Sequence, residues 1–179
     1  MKNSSIRKIC HIALFSALIA VCAQIAIPLP IGVPLSLQTF GVMLAGVMLG
    51  AKGGVAATLV YIILGAIGVP VFANFTGGFE RIVGITGGFI LSFPLLALAA
   101  GIGASRKNKI WFIVWLAIGI LINHACGVLM FAFRTPAGIN FANLIYTFTL
   151  ASAPFLPGDA VKAAIAIIIS RRWKFRWKF

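Results

Sequence analysis

The sequence predicts an all-α integral membrane protein, a compact bundle of six transmembrane helices in a single domain spanning residues 1–179. The composition indicates the membrane, because 61% of the residues are hydrophobic, 9% are charged and the mean hydropathy is +1.10. A water-soluble domain of this composition could not present a polar exterior. The lengths of the apolar runs predict the number of helices, and the positions of the basic residues predict their orientation.

Six apolar runs follow one another, against the roughly 20 residues that a spanning helix needs. The second run is short, and Gly53-Gly54 separates it from the third by little more than a tight turn. We expect one helix for each run, over residues 9–27, 38–50, 54–70, 85–104, 111–133 and 141–170.

The basic residues predict that both termini are cytoplasmic, in a multi-pass protein of a prokaryotic cell membrane. In a six-span arrangement nearly all of them fall on one side of the bilayer, which the positive-inside rule makes the cytoplasm. Because they lie at chain ends and in short connectors, topology explains them better than nucleic-acid binding does. They are Lys2, Arg7, Lys8, Lys52, Arg106, Lys107, Lys109 and the bases of residues 171–179.

The first apolar run also has features of a cleaved signal peptide, with a basic start and an apolar middle. Val21, however, stands before Cys22, where a lipoprotein cleavage site needs a small residue. Removal would leave five spans and disturb the charge pattern. We therefore expect a retained helix.

Small residues recur on the first two predicted helices. Ala13, Ala17 and Ala20 form a stripe at helical spacing, and Gly46 and Gly50 form a G-x-x-x-G pattern. Helices in lipid associate by close backbone approach at such positions. The sequence by itself favours packing within the chain, while the alternative for the alanine stripe is a separate membrane partner.

Two connectors on the predicted external side are unusually apolar. Residues 28–40 contain three prolines and no charge, and residues 68–89 contain two Gly-Gly pairs. Non-helical backbone at membrane depth persists only where protein buries it or where it lines a cavity. We expect these connectors to pack over the outer helix ends as the walls and lid of a pocket.

Asp159 and Lys162 lie three residues apart in an apolar segment. This spacing places both side chains on one face of a helix. They could form a purely structural ion pair, but burying two charges costs several kcal/mol per ion. Because ionisable residues inside a membrane are usually functional, we expect a binding site.

The residue types favour a small-molecule pocket without catalysis. The sequence contains no Walker A motif and no combination of nucleophile and base, and His11 and His124 lack paired metal-ligand spacing. We expect both histidines to be packing or interface residues, with no metal and no cofactor in this chain. A carboxylate that accepts beside an ammonium that donates suits a compact ligand carrying N–H groups and a carbonyl.

Four segments, in this order and spacing, resemble the BioY family, the biotin-binding S components of energy-coupling-factor (ECF) vitamin transporters. They are PLSLQTFGVMLAGVMLGAKGG, GVPVFANFTGG, GITGGFI and FLPGDAVKAAIA, in the third of which Ile85 stands where the family motif has proline. The resemblance implies external capture of biotin and association with a transmembrane coupling (T) component and two cytoplasmic ABC ATPases, which use ATP. It also implies that Ala13, Ala17 and Ala20 form the docking surface.

The resemblance further implies that Asn74, Asp159 and Lys162 are the main polar contacts to biotin. The ureido ring, with two N–H donors and a carbonyl, suits Asp159 and Lys162, and the apolar parts suit Phe72, Phe75 and Ile85. Gln38 and Thr86 are further candidates for the cavity wall. Arg81 is the candidate partner of the valerate carboxylate, and a surface ion pair with Glu80 is its alternative role.

Two other functional classes stay open. An ion-coupled secondary transporter of a small organic solute would use Asp159 to carry a proton. An intramembrane enzyme is disfavoured because the sequence shows no catalytic set.

Overall fold

The computed structural model describes residues 2–29 and 32–172, with side chains from residue 5 onward. Lys174, Arg176 and Lys178, predicted to be cytoplasmic, lie outside the described residues. The described part contains a two-stranded sheet, a 3-10 turn at Ala73–Phe75 and seven helices. The strands are β1 Ala26–Ile27 and β2 Leu35–Ser36, and the helices are α1 Lys2–Gln24, α2 Gln38–Ala66, α3 Phe79–Val83, α4 Gly87–Ser105, α5 Lys109–Arg134, α6 Phe141–Ala151 and α7 Leu156–Arg172.

Four helices in the described part are long and apolar enough to cross a membrane, namely α1, α2, α4 and α5. Helices α6 and α7 form a fifth candidate if the two, bent by 55° at a short break, count as one span. The protein is therefore a multi-pass membrane protein.

Helix α2 reverses its direction at Gly50. This glycine has φ 74° and ψ 175°, which interrupts the helix. Gln38 Nε2 donates a hydrogen bond to the hydroxyl of Tyr61, 23 residues later, although a straight helix would separate them by about 35 Å. Residues 38–49 and 51–66 are thus two antiparallel segments. The turn was expected at Gly53-Gly54, and the structure moves it to Gly50.

Small residues let the two segments of α2 approach each other and α4. A Cβ added to Gly54 would lie 2.5 Å from the Cα of Gly46, and one added to Gly46 would lie 2.2 Å from the carbonyl oxygen of Ala97 in α4. Similarly, Gly88 of α4 lies against the backbone of Cys126 in α5. The core is therefore built by close backbone packing, as expected in lipid.

Helix α1 packs on α2 with only one face. Ile19 is fully buried, and its Cα lies 3.1 Å from the position of a Cβ added to Gly41. Ala13 and Ala17 are exposed, whereas Ala20 is half-buried against the core. Packing within the chain, which the sequence by itself favours for the alanine stripe, is therefore wrong for Ala13 and Ala17.

The two connectors that were predicted to be external contain more regular structure than expected. At the first, β1 lies just before the connector and pairs antiparallel with β2 inside it, with Ala26 opposite Ser36, and α2 already begins at Gln38. The second includes the 3-10 turn and α3, and α4 begins at Gly87. The expectation of wholly non-helical connectors is thus wrong at these points, because the chain forms short helical turns at the bundle ends.

The predicted span 141–170 is broken between Ala151 and Leu156. Proline favours this break, because Pro154 lies within it and Pro157 lies at the second residue of α7, where a proline is tolerated. The break places Asp159 in the first turn of α7, with its backbone N–H bonded to the carbonyl of Phe155.

Candidate ligand-binding site

A cavity of about 220 Å³ lies between the two connectors that were predicted to be external, the N-terminal turns of α2, α4 and α7, and the middle of α5. Apolar and aromatic side chains make up part of its wall, and polar or charged residues make up the rest. The polar and charged lining residues are Ser36, Gln38, Thr39, Asn74, Thr76, Arg81, Thr86, Asn123, His124, Asp159 and Lys162.

Asp159 and Lys162 form a buried ion pair on the α7 wall of this cavity. Lys162 Nζ lies 2.9 Å from Asp159 Oδ1. Lys162 is 8% exposed and Asp159 is 4% exposed. Their separation by three residues along α7 places them on one face. The sequence prediction that they are neighbours is therefore confirmed.

Thr39 completes one side of the pair. Its hydroxyl donates to Asp159 Oδ1 at 2.7 Å and accepts from Lys162 Nζ at 3.1 Å. Lys162 also donates to the backbone carbonyl of Ser36 at 2.7 Å. All three N–H groups of the ammonium therefore have partners, and Asp159 Oδ1 has two donors.

His124 holds the other carboxylate oxygen. Its Nε2 lies 3.0 Å from Asp159 Oδ2, and its Nδ1 lies 2.7 Å from the hydroxyl of Ser152. His124 is 5% exposed and lines the cavity, so it has polar partners there in addition to the packing role that was expected of it. Applying to it the rule used for Asp159, that an ionisable group within a membrane is a functional candidate, would have found it.

Asn74 lies in a tightly held segment of the cavity wall. It and Phe75 have left-handed backbone conformations, with φ of 59° and 54°. Gln24 of α1 secures this segment, donating to the carbonyls of Val71 and Phe72 and accepting from the N–H of Phe75 at 2.8 Å. Asparagine tolerates this conformation, so the segment presents Asn74 to the cavity.

Phe75 does not line the cavity, contrary to the sequence prediction. Its side chain is 73% exposed, because the left-handed turn directs it away from the core. Phe72 is 2% exposed, lines the cavity and contacts Tyr61 edge to face at 5.5 Å. Ile85 also lies outside the lining and packs with Val33 in an apolar cluster under the connectors.

The cavity lining also includes Gln38, Thr86 and Arg81, which the sequence placed at or near the pocket. Gln38 is buried and bonded to Tyr61, and Thr86 precedes the first residue of α4. Within the described residues no ion pair joins Arg81 to Glu80. The cavity therefore contains one carboxylate and two permanent cations, Lys162 and Arg81, which favours a ligand that brings a negative charge.

Within the described residues no group of three or more His, Cys, Asp and Glu side chains is placed to hold a metal ion. The cavity combines apolar and aromatic walls with convergent polar groups, which is the character of a small-molecule site. The fold and the cavity together define a membrane-embedded binding protein for one small organic molecule.

The chain belongs to the BioY family, whose model matches residues 1–179. It is 41% identical over 166 residues to a probable biotin transporter BioY of Pyrococcus horikoshii, covering 93% of this chain and 95% of that protein. It is 37% identical over 169 residues to the biotin transporter BioY of Thermotoga maritima, covering 94% and 96%. Its fold matches the crystal structure of an S-component for biotin from an ECF-type ABC transporter, with a TM-score of 0.81, 26% identity and coverage of 96% and 93%.

Proposed function

We propose that this protein captures biotin and takes it across the membrane as the S component of an ECF-type ABC importer. The observation that carries the proposal is the Asp159–Lys162 pair on the wall of a cavity of about 220 Å³. Family membership and the similar S component support the same function.

The chemistry of the cavity matches the two ends of biotin. Asp159 has acceptor capacity left for a ureido N–H, because a carboxylate has about four acceptor positions and three are occupied. Lys162 has no spare N–H, so it binds the ureido carbonyl only by exchanging one present partner. Asn74, in the 3-10 turn between α2 and α3, supplies a further polar contact.

The other end of biotin suits the mouth of the cavity. Arg81 is exposed there and is not paired with Glu80, so it is available to the valerate carboxylate. Of the three apolar residues expected to contact the thioether ring and the valeryl chain, Phe72 lines the cavity and provides that surface. Gln38 and Thr86 complete the wall.

The proposed topology has six membrane crossings with both termini in the cytoplasm of a prokaryotic cell. In this topology the reversal at Gly50 makes residues 38–49 and 51–66 short antiparallel segments of two separate crossings, and α6 with α7 makes the last crossing. Lys52 and the α4–α5 connector then share the cytoplasmic side. The cavity accordingly opens to the exterior.

The proposed partners are a transmembrane coupling component and two cytoplasmic ATPases that use ATP. The exposed face of α1, with Ala13 and Ala17, is the docking surface, and half-buried Ala20 is at its edge. Small side chains on this face allow close approach of a partner helix. The role is transport, and the site supports no reaction on the ligand.

An ion-coupled secondary transporter is the second candidate, favoured by one observation. Asp159 and His124 form a buried hydrogen-bonded pair of titratable groups, the kind of pair found in proton relays. Biotin uptake into cells should separate the two functions. We expect uptake to require the ATPase partners and to persist with an ionophore, and the reverse pattern would favour ion coupling.

A further inference from the structure

His124 lies beside the proposed biotin site but belongs to a different helix from Asp159 and Lys162. We propose that His124 is a positioning residue, which fixes the orientation of the Asp159 carboxylate so that one acceptor position on Oδ2 faces the ligand. The inference rests on the proposed function and identifies a residue that controls recognition of the ureido group.

The imidazole of His124 is held on three sides. Ser152 Oγ lies 2.7 Å from Nδ1, and Asp159 Oδ2 lies 3.0 Å from Nε2. Phe89, which also lines the cavity, contacts the ring edge to face with centroids 5.8 Å apart. A buried ring with these contacts has one orientation, and Nε2 therefore has a fixed position.

The two oxygens of Asp159 have unequal hydrogen bonding. Oδ1 receives donors from Thr39 at 2.7 Å and Lys162 at 2.9 Å. Among the described residues, Oδ2 has one hydrogen-bond partner, Nε2 of His124. Since each carboxylate oxygen accepts about two hydrogen bonds, the remaining position is on Oδ2, and a ligand N–H is expected to bond there.

His124 provides the hydrogen bond that the described residues make to Oδ2. Thr39 and Lys162 both bond to Oδ1, and because hydrogen bonds tolerate a spread of distance and angle, they leave small changes of the Asp159 side-chain torsions open, which move Oδ2. His124 from α5 therefore supplies a separate restraint on Oδ2. Misdirection of Oδ2 would weaken its hydrogen bond to the ligand.

The position of His124 also depends on the break between α6 and α7. Ser152 is fully buried within that break and bonds to Nδ1. Ser152 therefore orients the imidazole, which in turn orients Asp159.

The chemistry of the pair specifies what can replace His124. An ionised carboxylate only accepts, so Nε2 carries the hydrogen whether Nδ1 accepts from Ser152 or donates to it. A glutamine at this position retains an N–H donor of similar reach, whereas a phenylalanine keeps the ring shape and has no donor. Comparison of His124→Gln with His124→Phe therefore separates the effect of the hydrogen bond from the effect of packing.

The test is equilibrium titration of biotin into the purified full chain in detergent. We expect His124→Phe to lower affinity by about 10- to 100-fold, as for loss of a hydrogen bond to a charged group, and His124→Gln to recover most of it. His11→Phe, at a residue outside the cavity lining, is the matched control and should bind like the wild type. In an Asp159→Asn background, His124→Phe and His124→Gln should bind equally weakly, because His124 acts through the carboxylate.

Wild-type affinity in folded His124→Phe would overturn the inference, as would equal losses in His124→Phe and His124→Gln. If His124→Phe does not fold, Ser152→Ala replaces it: a fall in affinity supports the inference, and unchanged affinity contradicts it. Failure of the wild-type chain to bind biotin would instead refute the proposed function.

Discussion

Thr39 donates a hydrogen bond of 2.7 Å to Oδ1 of Asp159, although the two residues lie 120 positions apart in the chain. Thr39 is in the first turn of α2, and Asp159 is in the first turn of α7. Two helix starts therefore meet at one carboxylate. Helix N-termini favour negative charge. Both helix starts therefore interact favourably with the Asp159 carboxylate, as Lys162 and His124 also do.

Replacing the Asp159 carboxylate by an amide should abolish high-affinity binding. Asp159→Asn keeps a carbonyl oxygen for Thr39 and Lys162 but puts an NH2 donor at the Oδ2 position, where a ureido N–H needs an acceptor, so we expect biotin affinity to fall at least about tenfold. Glu80→Gln makes the same chemical change at the other acidic residue, which is exposed and outside the cavity lining. Equilibrium titration should give wild-type affinity for this control. Wild-type affinity in folded Asp159→Asn would remove Asp159 from the site.

The Asp159–Lys162 pair should show strong coupling in stability. Asp159→Asn or Lys162→Met alone leaves one buried charge without its counter-ion, which costs about 3 kcal/mol or more. Removing both charges should cost less than the sum, as measured by unfolding without biotin in a double-mutant cycle. Lys52→Met, at an exposed lysine, is the control. Additive losses of stability would mean that the two charges do not stabilise each other in the protein without biotin.

The proposed docking face of α1 should be separable from the cavity. Ala13→Trp with Ala17→Trp enlarges an exposed surface away from the ligand, so energised uptake should be lost while biotin binding is retained. Ile113→Trp with Leu121→Trp makes a similar change on the exposed side of α5 and should leave uptake unchanged. Loss of biotin binding by the α1 variant would contradict a role restricted to docking.

Gln24 should stabilise the segment that presents Asn74. Gln24→Leu removes the hydrogen bonds to Val71, Phe72 and Phe75, so the left-handed turn loses its main external support. We expect faster amide hydrogen exchange at Phe75 and biotin affinity several-fold lower.

The matched control for this segment is Asn143, a buried amide that bonds to Ala132, Thr135 and Gly138 away from the cavity. Asn143→Leu should leave exchange at Phe75 unchanged. Equal exchange at Phe75 in wild type and Gln24→Leu would show that the segment holds its own conformation.

Local sequence patterns predicted much of the fold and the central pair of the site. Hydropathy identified the long helices, and the spacing of Asp159 and Lys162 placed both on one face. Gly50 and Gly53-Gly54 offer the same local flexibility, so the sequence did not distinguish the two turn positions, and the structure places the reversal at Gly50. His124 and Thr39 were missed as partners because no local pattern relates them to Asp159.

The sequence also could not predict which residues of the two connectors face the cavity. Phe72 and Phe75 are three residues apart in an aromatic segment, and either could contact a ligand. The left-handed turn at Asn74 and Phe75 directs the Phe75 side chain away from the cavity. Gln24, which lies about fifty residues earlier in the chain, bonds to this turn.

The most direct test of biotin capture is calorimetric titration of biotin into the purified full chain, with mass analysis of the bound molecule. We expect one biotin per chain, recovered unchanged. Asp159→Asn should greatly weaken this binding, and Glu80→Gln should preserve it. Absence of saturable biotin binding by the folded wild-type chain would contradict the proposed function.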